Sequence, residues 1–441
     1  MLNADFIIKA DCVLKMDRDL SVVEDGAVAI KDGKIAAVGP SLEVLREYSS
    51  EKILGGPGTI AFPGLVNTHT HSPMVYFRGL EDDLPLKVWL EEHIWPAEDR
   101  WLSDEFVADA AELACLEMLK AGITVFNDMY FYGDAIARTS RRLGMRAVVG
   151  AGILDFPSKT AKTPDEYLAN AEAFIRDWVG DDLIVPGIAP HAPYTCSPET
   201  MKKAKEISDK YRIPLHLHLS ETEWEVNEVK TRYGLTPVAL LESLGILDER
   251  VIAAHCVRAT DEEIEILADR GVGVSHCIES NLKLASGIAP VVKMLASGVK
   301  VTFGTDGAAS NNDLNILSEM STAAKVHKAV SGDPTALKAR QALLMATRWG
   351  AETLGLGDIS GSLEKGKSAD VVIADINKPH LSPLYDVYSH IVYSMNAADI
   401  DTVLVNGRVV LDKRRLTGAD ETEIMAKASA WGAKIRRAKT N

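Results

Sequence analysis

Apolar runs alternate with helix-like patterns through the middle of the chain. Their apolar residues are consecutive rather than alternating, which is typical of strands buried on both faces. The runs lie at residues 60–68, 123–128, 145–153, 183–189, 213–219, 251–256, 271–276 and 299–305. Helical periodicity fills several of the intervals, at residues 104–121, 164–178, 199–211, 262–269 and 290–297. Eight buried strands separated by helices predict an α/β fold, a (β/α)₈ TIM-type barrel.

A doubly wound open sheet is the alternative arrangement of the same elements. Open sheets that bind nucleotides carry a glycine-rich phosphate loop after a strand, and no such motif follows any of these runs. The barrel, over residues 61–360, is therefore the favoured prediction.

Both ends of the chain are predicted to be β-structure. Two short apolar runs flank Asp32-Gly33, a dipeptide typical of a tight hairpin turn. A similar pattern surrounds Asn406-Gly407, and residues 369–374 form a further strand of the buried type. Neither end has enough strands for a stable sheet alone.

The economical interpretation is one small β-sandwich domain built from both ends, with the barrel inserted between its halves. It would comprise residues 1–60 and 361–441. An amphipathic pattern at residues 420–438 predicts a C-terminal helix for this domain.

Histidines concentrate near the C-terminal ends of the predicted barrel strands, where the active site of such a barrel lies. The first strand ends in His69 and His71, and their spacing places both imidazoles on one face. An isolated His-x-His is as often a packed histidine beside a surface one as a metal clamp. Further candidates follow at later strand ends: His191, His216, His218, His255, His276 and Asp306. This concentration at one end of a barrel predicts a metal site.

The fifth strand supplies two histidines, of which one is nearer the open end. His216 and His218 share a face, so His218 is predicted to be a ligand and His216 a deeper residue of the barrel interior. Asp306 can complete the site with an oxygen ligand. Three neutral imidazoles and a carboxylate suit Zn²⁺ or Fe²⁺ better than Mg²⁺ or Ca²⁺. Such an ion lowers the pKa of a bound water towards neutrality.

Charge and cysteine usage narrow the possible partners. The 441 residues carry 48 Lys and Arg against 63 Asp and Glu, a formal net charge of −15. This balance argues against nucleic acid or an anionic membrane as the main partner. The five cysteines include no C-x-x-C pair, and no apolar run suits a membrane span or a signal peptide. We therefore expect a cytoplasmic protein that acts on a small molecule.

Five motifs carry a resemblance to a known family. They are PGLVNTHTH, which begins at Pro63, and then HLHLSET, AAHC, SNLKLASG and GTDGAASNN. Together they resemble the amidohydrolase superfamily, and more narrowly its 5′-methylthioadenosine/S-adenosylhomocysteine deaminases. The resemblance covers nearly the whole chain. It implies a zinc-dependent hydrolytic deaminase of adenosines, which delivers a metal-activated hydroxide to C6 and releases ammonia and the inosine analogue.

The resemblance also implies roles for individual residues. The family's metal ligands match His69, His71, His218 and Asp306. Asp306 also matches the group that accepts the proton of the attacking water, and His255 matches the histidine that orients this water. Glu221 matches the acid that protonates the ring nitrogen beside C6. His191 and Glu98 match residues that contact the substrate, Glu98 through ribose hydroxyls.

Two of these residues have a second interpretation. Glu221 could be a surface acid at a helix start, and Glu98 could pair with Arg100 in the loop after the first strand. That loop is rich in acids and tryptophan. Its Trp89 or Trp95 either covers the purine as part of a lid or packs as the core of a surface helix.

Two departures from the family's pattern bear on the metal and the substrate. Dinuclear members usually carry a bridging lysine at the end of the fourth strand, where this chain has Pro190 and His191, so one metal ion per subunit is expected. Some deaminases hold the homocysteine carboxylate with arginines after the third strand, where this chain has Lys159 and Lys162 instead. Selectivity for S-adenosylhomocysteine therefore does not follow from the resemblance, and methylthioadenosine, adenosine and 5′-deoxyadenosine stay open as substrates.

Other functions are compatible with parts of the pattern. Guanine deaminases and s-triazine chlorohydrolases share much of it and are the alternative enzymes. A non-catalytic binding protein is a more remote alternative, because such proteins usually lack a ligand or the acid and this chain has both. Barrels of this kind are often oligomeric, so a homo-oligomer is one expectation.

Overall fold

The middle of the chain forms one parallel eight-stranded barrel in the computed structural model, which describes residues 1–439. In chain order its strands β1 to β8 are Leu65–Thr70, Ile123–Tyr130, Arg146–Ile153, Ile184–Pro190, Leu215–Leu219, Val251–His255, Gly273–His276 and Lys300–Phe303. Each strand pairs with the next, and β1 returns to the end of β8 through a parallel bridge between Thr70 and Asp306. The predicted TIM-type barrel is confirmed.

Helices connect the barrel strands, as parallel pairing requires. They are Asp104–Lys120, Gly133–Leu143, Pro164–Trp178, Pro198–Tyr211, Glu223–Tyr233, Pro237–Ser243, Asp261–Asp269, Ile278–Lys283, Val291–Ala296, Ile316–Ser331, Ala339–Met345 and Arg348–Thr353. Several begin at a hydroxyl that accepts a backbone N–H of the first turn, as at Ser103, Thr163 and Ser197. Within residues 1–439, every helix is too short or too polar to cross a membrane.

The two chain ends together form a mixed sheet of eight strands. From one edge to the other these are Arg415–Leu416, Arg408–Asp412, Ile400–Val405, Val371–Asp375, Ile53–Pro63, Phe6–Leu14, Val22–Lys31 and Lys34–Pro40. The two ends meet in the middle of the sheet, where Ile53–Pro63 runs antiparallel to Val371–Asp375. Neither end therefore supplies a complete sheet without the other.

Both predicted hairpins are present, and their turns bring the two halves of the sheet together. Asp32, Gly33, Asn406 and Gly407 all have the positive φ values that a two-residue turn of this type requires. The two turns are in contact, since a Cβ on Gly33 would approach the Asn406 backbone oxygen to 3.0 Å. One apolar cluster of this sheet unites both chain ends, and its members include Ile8, Val28, Ile373 and Leu404. The predicted β-structure built from both chain ends is confirmed, in the form of one eight-stranded sheet.

The remaining elements of the chain ends are mostly short. They are the strands Leu2–Asn3 and Tyr48–Ser49, the 3₁₀ turns Pro379–Leu381 and Ala397–Asp399, and the helices Ser41–Glu47, Val387–Tyr393 and Glu421–Lys439. The C-terminal helix packs against the barrel helix Asp104–Lys120, where Trp431 Nε1 donates to Asp109 Oδ2 at 3.0 Å.

The first predicted run, residues 60–68, divides between the sheet and the barrel. Its first part ends the sheet strand Ile53–Pro63, and its second part begins β1. Gly64 separates them and lies so close to Thr124 that a Cβ would come within 1.9 Å of the threonine Oγ1. Only glycine lets β1 start here beside β2.

The segment after β1 covers the C-terminal end of the barrel. It contains a 3₁₀ turn at Ser72–Phe77, helix Leu86–Val88, a π-helical stretch at Trp89–Ile94 and helix Trp95–Trp101. We call residues 78–101 the lid. π-Helical turns are uncommon and often accompany functional sites.

Candidate active site

Four side chains converge at the C-terminal end of the barrel. His69, His71, His218 and Asp306 each offer a ligand atom, and these atoms all lie within 4.8 Å of one another. Asp306 Oδ1 lies 3.3 Å from His69 Nε2 and 3.2 Å from His71 Nε2. His71 Nε2 lies 3.2 Å from His218 Nε2. The predicted ligand set is thus brought together from β1, β5 and the end of β8.

Hydrogen bonds to the backbone turn two of these imidazoles towards one point. His71 Nδ1 donates to Met129 O at 2.5 Å, and His218 Nδ1 donates to His191 O at 2.8 Å. With the proton on Nδ1, each Nε2 directs a lone pair at the other and at Asp306. His69 Nε2 is buried without a hydrogen-bond partner. Imidazole lone pairs that converge beside a carboxylate are the usual ligands of a divalent cation, so this donor set fits a divalent metal ion.

Asp306 is held by serines from the segments after β7 and β8. Ser280 Oγ and Ser310 Oγ donate to its Oδ2 at 2.6 Å and 2.7 Å, which leaves Oδ1 for the histidines. Burial alone would raise the pKa of Asp306, but the adjacent imidazoles of His69 and His71 hold it well below the ordinary value. The carboxylate is therefore ionised.

Glu221 lies in the loop after β5 and is buried, with 6% of its surface exposed. Burial raises its pKa to about 8, and the nearby charge of Asp306 adds to the effect. Ser286 Oγ donates to Glu221 Oε1 at 3.3 Å. The alternative of a solvated surface acid does not agree with this burial, and near pH 7 the carboxyl keeps its proton.

Glu225 fixes the backbone that carries Glu221. Its carboxylate accepts the backbone N–H groups of Ser220 at 2.9 Å and Glu221 at 2.7 Å. Ser220 has a φ of 51°, so the chain turns sharply between β5 and the following helix. Sequence reasoning missed Glu225, because one acid among several in a helical first turn gives no distinguishing signal.

His255, at the end of β6, faces both the four ligand side chains and Glu221. Its ring stacks on His218 with centroids 5.5 Å apart, and its Nε2 lies 3.8 Å from Glu221 Oε2. Asn281 Nδ2 lies 2.9 Å from His255 Nδ1 on the other side of the ring. Burial lowers the pKa of His255, so the ring is held in its neutral form.

Glu98 reaches the site from the lid. It is buried and accepts a hydrogen bond from Tyr130 Oη at 2.6 Å, while Arg100 donates instead to Ala438 O at 3.3 Å. The alternative of an ion pair between Glu98 and Arg100 is therefore wrong. Burial raises the pKa of Glu98 to about 7, against the opposing effect of the Tyr130 hydrogen bond. His191 also faces the cluster, with its ring centroid 4.6 Å from that of His218.

Two other histidines lie outside the cluster. His216 sits behind His69, with 2.9 Å between its Nε2 and His69 Nδ1, in agreement with a deeper position in the barrel. His276 turns away and pairs with His327 at 3.0 Å between their Nε2 atoms.

A cavity opens above the cluster. Its polar lining groups include His71, His191, His218, Glu221, His255, Asp306 and Glu98. Its walls are apolar and include Trp89, Trp95, Phe131, Ile153 and Leu154. Trp89 and Trp95 of the lid therefore both line the cavity, although Trp89 is also buried against the core. The site combines a metal-binding floor, a protonated acid and walls suited to a flat heterocycle.

Comparison with known proteins places this geometry in a family. The profile of the Amidohydrolase family matches residues 60–410. A protein of Thermodesulfovibrio yellowstonii named 5-methylthioadenosine/S-adenosylhomocysteine deaminase is 52% identical, over 99% of this chain and 100% of its own. One of Methanosarcina acetivorans named 5′-deoxyadenosine deaminase is 46% identical, over 96% and 97%.

Among solved structures, a zinc-bound adenosine deaminase from Xanthomonas campestris is similar in fold and sequence. It has a TM-score of 0.97 and 42% identity, with 99% of both chains covered. These relatives extend over nearly the whole chain, so they include both the barrel and the sheet of the chain ends, and the family profile includes the barrel. The chain belongs to the amidohydrolase family, and its resemblance to the family's 5′-methylthioadenosine/S-adenosylhomocysteine deaminases is confirmed.

Proposed function

We propose that this protein is a zinc-dependent hydrolytic deaminase of 5′-substituted adenosines. It converts 5′-methylthioadenosine, S-adenosylhomocysteine or a related adenosine to the inosine analogue and ammonia. The observation that carries the proposal is the buried Glu221, which faces the same cavity as the four convergent ligand atoms and whose pKa is raised by burial to about 8. A metal site alone suits many hydrolases, but ring deamination also needs an acid beside it.

One zinc ion would be held by His69, His71, His218 and Asp306. Three imidazoles favour zinc, or Fe²⁺, over oxygen-preferring ions, and zinc is the ion bound in the Xanthomonas campestris relative. When bound, the ion would act as a Lewis acid and lower the pKa of water at the site.

The protein's own groups would manage the protons of the reaction. As water adds to C6 of the purine, this carbon becomes tetrahedral and electron density moves to N1. Glu221 supplies a proton to N1, and Asp306 accepts the proton that the water loses. His255, between Glu221 and the cluster, orients the water and helps to move a proton to the departing amino group.

Substrate binding would use the lid and the cavity walls. Glu98 accepts hydrogen bonds from ribose hydroxyls, and His191 contacts the substrate from the end of β4. Trp89 and Trp95 provide flat apolar surface for the nucleoside. A small nucleoside, unlike a nucleic acid, also suits a protein with a net charge of −15. Because the five cysteines are free, we propose a cytoplasmic location.

The decisive experiment is an ammonia-release screen with the zinc-loaded protein. Candidate substrates are methylthioadenosine, S-adenosylhomocysteine, adenosine, 5′-deoxyadenosine, guanine and s-triazines. We expect turnover of one or more adenosines, with loss of the adenine absorbance. Turnover of guanine or a triazine alone would replace the proposal by one of the alternative enzymes. Stoichiometric metal with turnover of none of them would favour a binding protein.

A further inference from the structure

Glu319 is a buried acid outside the candidate active site. It lies in the first turn of helix Ile316–Ser331, with 0% of its surface exposed. Burial raises its pKa well above the ordinary value, and the nearby carboxyl group of Glu279 adds to the effect. Within residues 1–439, no lysine, arginine or histidine forms an ion pair with it. A buried acid without a cation is costly, so Glu319 is poorly suited to a purely stabilising role.

One carboxyl oxygen of Glu319 contacts the segment that carries Asp306. Oε1 accepts a hydrogen bond from Asn311 Nδ2 at 3.0 Å, and the same amide group donates to Thr305 O at 2.9 Å. Thr305 directly precedes Asp306, whose φ of 58° lies in the left-handed region. A backbone in that region persists only where the surrounding contacts hold it. Asn311 therefore links Glu319 to the backbone beside a metal ligand.

The other oxygen of Glu319 contacts the segment after β7. Oε2 accepts the backbone N–H of Glu279 at 3.4 Å. Glu279 lies in the first turn of helix Ile278–Lys283, and Cys277, the residue before that helix, provides no side-chain cap. Glu319 thus supplies, from another helix, the acceptor that a capping residue usually provides.

The helix that Glu319 caps carries two partners of the site. Ser280 Oγ donates to Asp306 Oδ2 at 2.6 Å, and Asn281 Nδ2 lies 2.9 Å from His255 Nδ1. One carboxyl group thus contacts both of the segments that hold Asp306, although Glu319 itself does not line the cavity.

We propose that Glu319 is a positioning residue for the metal site. It fixes the segments after β7 and β8 relative to each other, so that Asp306 Oδ1 faces His69 and His71 while Oδ2 faces its serines. A ligand binds a metal ion well only when the groups behind it hold the required geometry. Displacement of Asp306 would also impair its acceptance of a proton from water, and this second effect rests on the proposed function.

A purely structural role for Glu319 makes a different prediction. Loss of a buried hydrogen bond would then lower the free energy of unfolding, and the folded protein would keep its metal affinity. Loss of positioning instead lowers the zinc affinity of protein that is fully folded. Because Glu319 does not line the cavity, loss of positioning should also lower kcat and leave KM unchanged.

Three variants separate these two roles. Glu319→Gln keeps one acceptor oxygen and loses the other, whereas Glu319→Met fills the space and loses both. Glu279→Gln is the matched control, because the Glu279 side chain accepts from Ser318 Oγ at 2.7 Å and Thr322 Oγ1 at 2.6 Å, both on the helix of Glu319. This control keeps the backbone N–H that Glu319 accepts.

The test equilibrates the zinc-loaded proteins in buffers of graded free zinc and measures bound zinc together with circular dichroism. We expect the zinc Kd to rise about tenfold or more in Glu319→Met, as loss of the hydrogen bonds behind a metal ligand predicts, and by a smaller factor in Glu319→Gln. At saturating zinc, kcat for the adenosine that wild type converts fastest should fall about tenfold or more in Glu319→Met, with KM within about twofold of wild type. Glu279→Gln should match wild type in zinc Kd and kcat.

Two outcomes would overturn the inference. A folded Glu319→Met variant with the wild-type zinc Kd would leave Glu319 with a structural role, and if this variant does not fold, an unchanged zinc Kd in Glu319→Gln would do the same. An equal rise of the zinc Kd in Glu279→Gln would assign the effect to a general disturbance of the helix. Failure of wild type to convert any adenosine would refute the proposed function, and the zinc Kd would still test the role of Glu319.

Discussion

At the scale of single residues, the charge state of Glu221 controls the proposed chemistry. Glu221→Gln keeps the shape of the side chain but removes its proton donor. We expect metal content equal to wild type and a fall in kcat of about 10²- to 10⁴-fold, the usual contribution of a general acid. Metal analysis and ammonia release measure the two effects.

Glu223→Gln is the control for this substitution, because Glu223 lies two residues further on and is exposed. It should behave as wild type. Near-normal turnover in Glu221→Gln would remove Glu221 from the mechanism. Loss of metal in the same variant would show instead that Glu221 supports metal binding.

The raised pKa of Glu221 predicts the alkaline limb of the rate profile. Burial raises this pKa to about 8, and the acid is the active form, so activity is present below that pH and lost above it. We expect kcat to fall about tenfold per pH unit well above about pH 8. Assays in matched buffers across the limb measure it. A rate that stays level to about pH 10, with the protein still folded, would contradict the role of Glu221 as proton donor.

At the scale of elements, the turn after β5 positions that acid. Glu225 holds the N–H groups of Ser220 and Glu221 from the first turn of helix Glu223–Tyr233. Glu225→Ala frees both groups, and we expect kcat to fall about tenfold or more, with metal content maintained. Glu225→Gln retains one acceptor oxygen and should lie between this variant and wild type.

Glu228→Gln provides the comparison on the same helix, since Glu228 pairs only with Arg232 near the surface. A Glu225→Ala variant with wild-type kcat would show that the turn holds its shape without the carboxylate. Circular dichroism and zinc content distinguish a repositioned acid from an unfolded loop.

The residues of the site that lie at strand ends could be predicted from the sequence. The residues that hold them in place by hydrogen bonds could not. The two-residue period of a strand places His69 with His71 and separates His218 from His216, and a barrel brings strand ends together. Ser280, Ser310 and Glu225 instead lie in the segments after β7, β8 and β5, and their contacts with the site depend on tertiary packing. Serines and acids are common in such connecting segments, so they carry no local signal.

At the scale of the whole molecule, the barrel and the sheet are joined at the end opposite the active site. Arg146, at the start of β3, forms a buried ion pair with Asp370, just before the sheet strand Val371–Asp375. Arg146 also donates to Asp182 O at 2.8 Å and Ser368 Oγ at 3.0 Å. The apolar runs predicted both elements, but a single Arg and a single Asp more than two hundred residues apart gave no indication of this contact.

The Arg146–Asp370 pair should stabilise the fold without contributing to catalysis. Its side chains are 3% and 1% exposed, so Arg146→Met leaves an unpaired, buried Asp370 carboxylate. We expect the free energy of unfolding to fall by about 3–5 kcal/mol, with kcat/KM of the folded protein close to wild type. Urea unfolding and steady-state assays at low temperature measure the two quantities.

Arg146→Met with Asp370→Asn removes both charges, so the double variant should lose less stability than the sum of the single losses. Additive losses would show that the two side chains act independently. Reduced kcat/KM in the folded Arg146→Met variant would show that the Arg146–Asp370 pair affects the active site at the opposite end of the barrel.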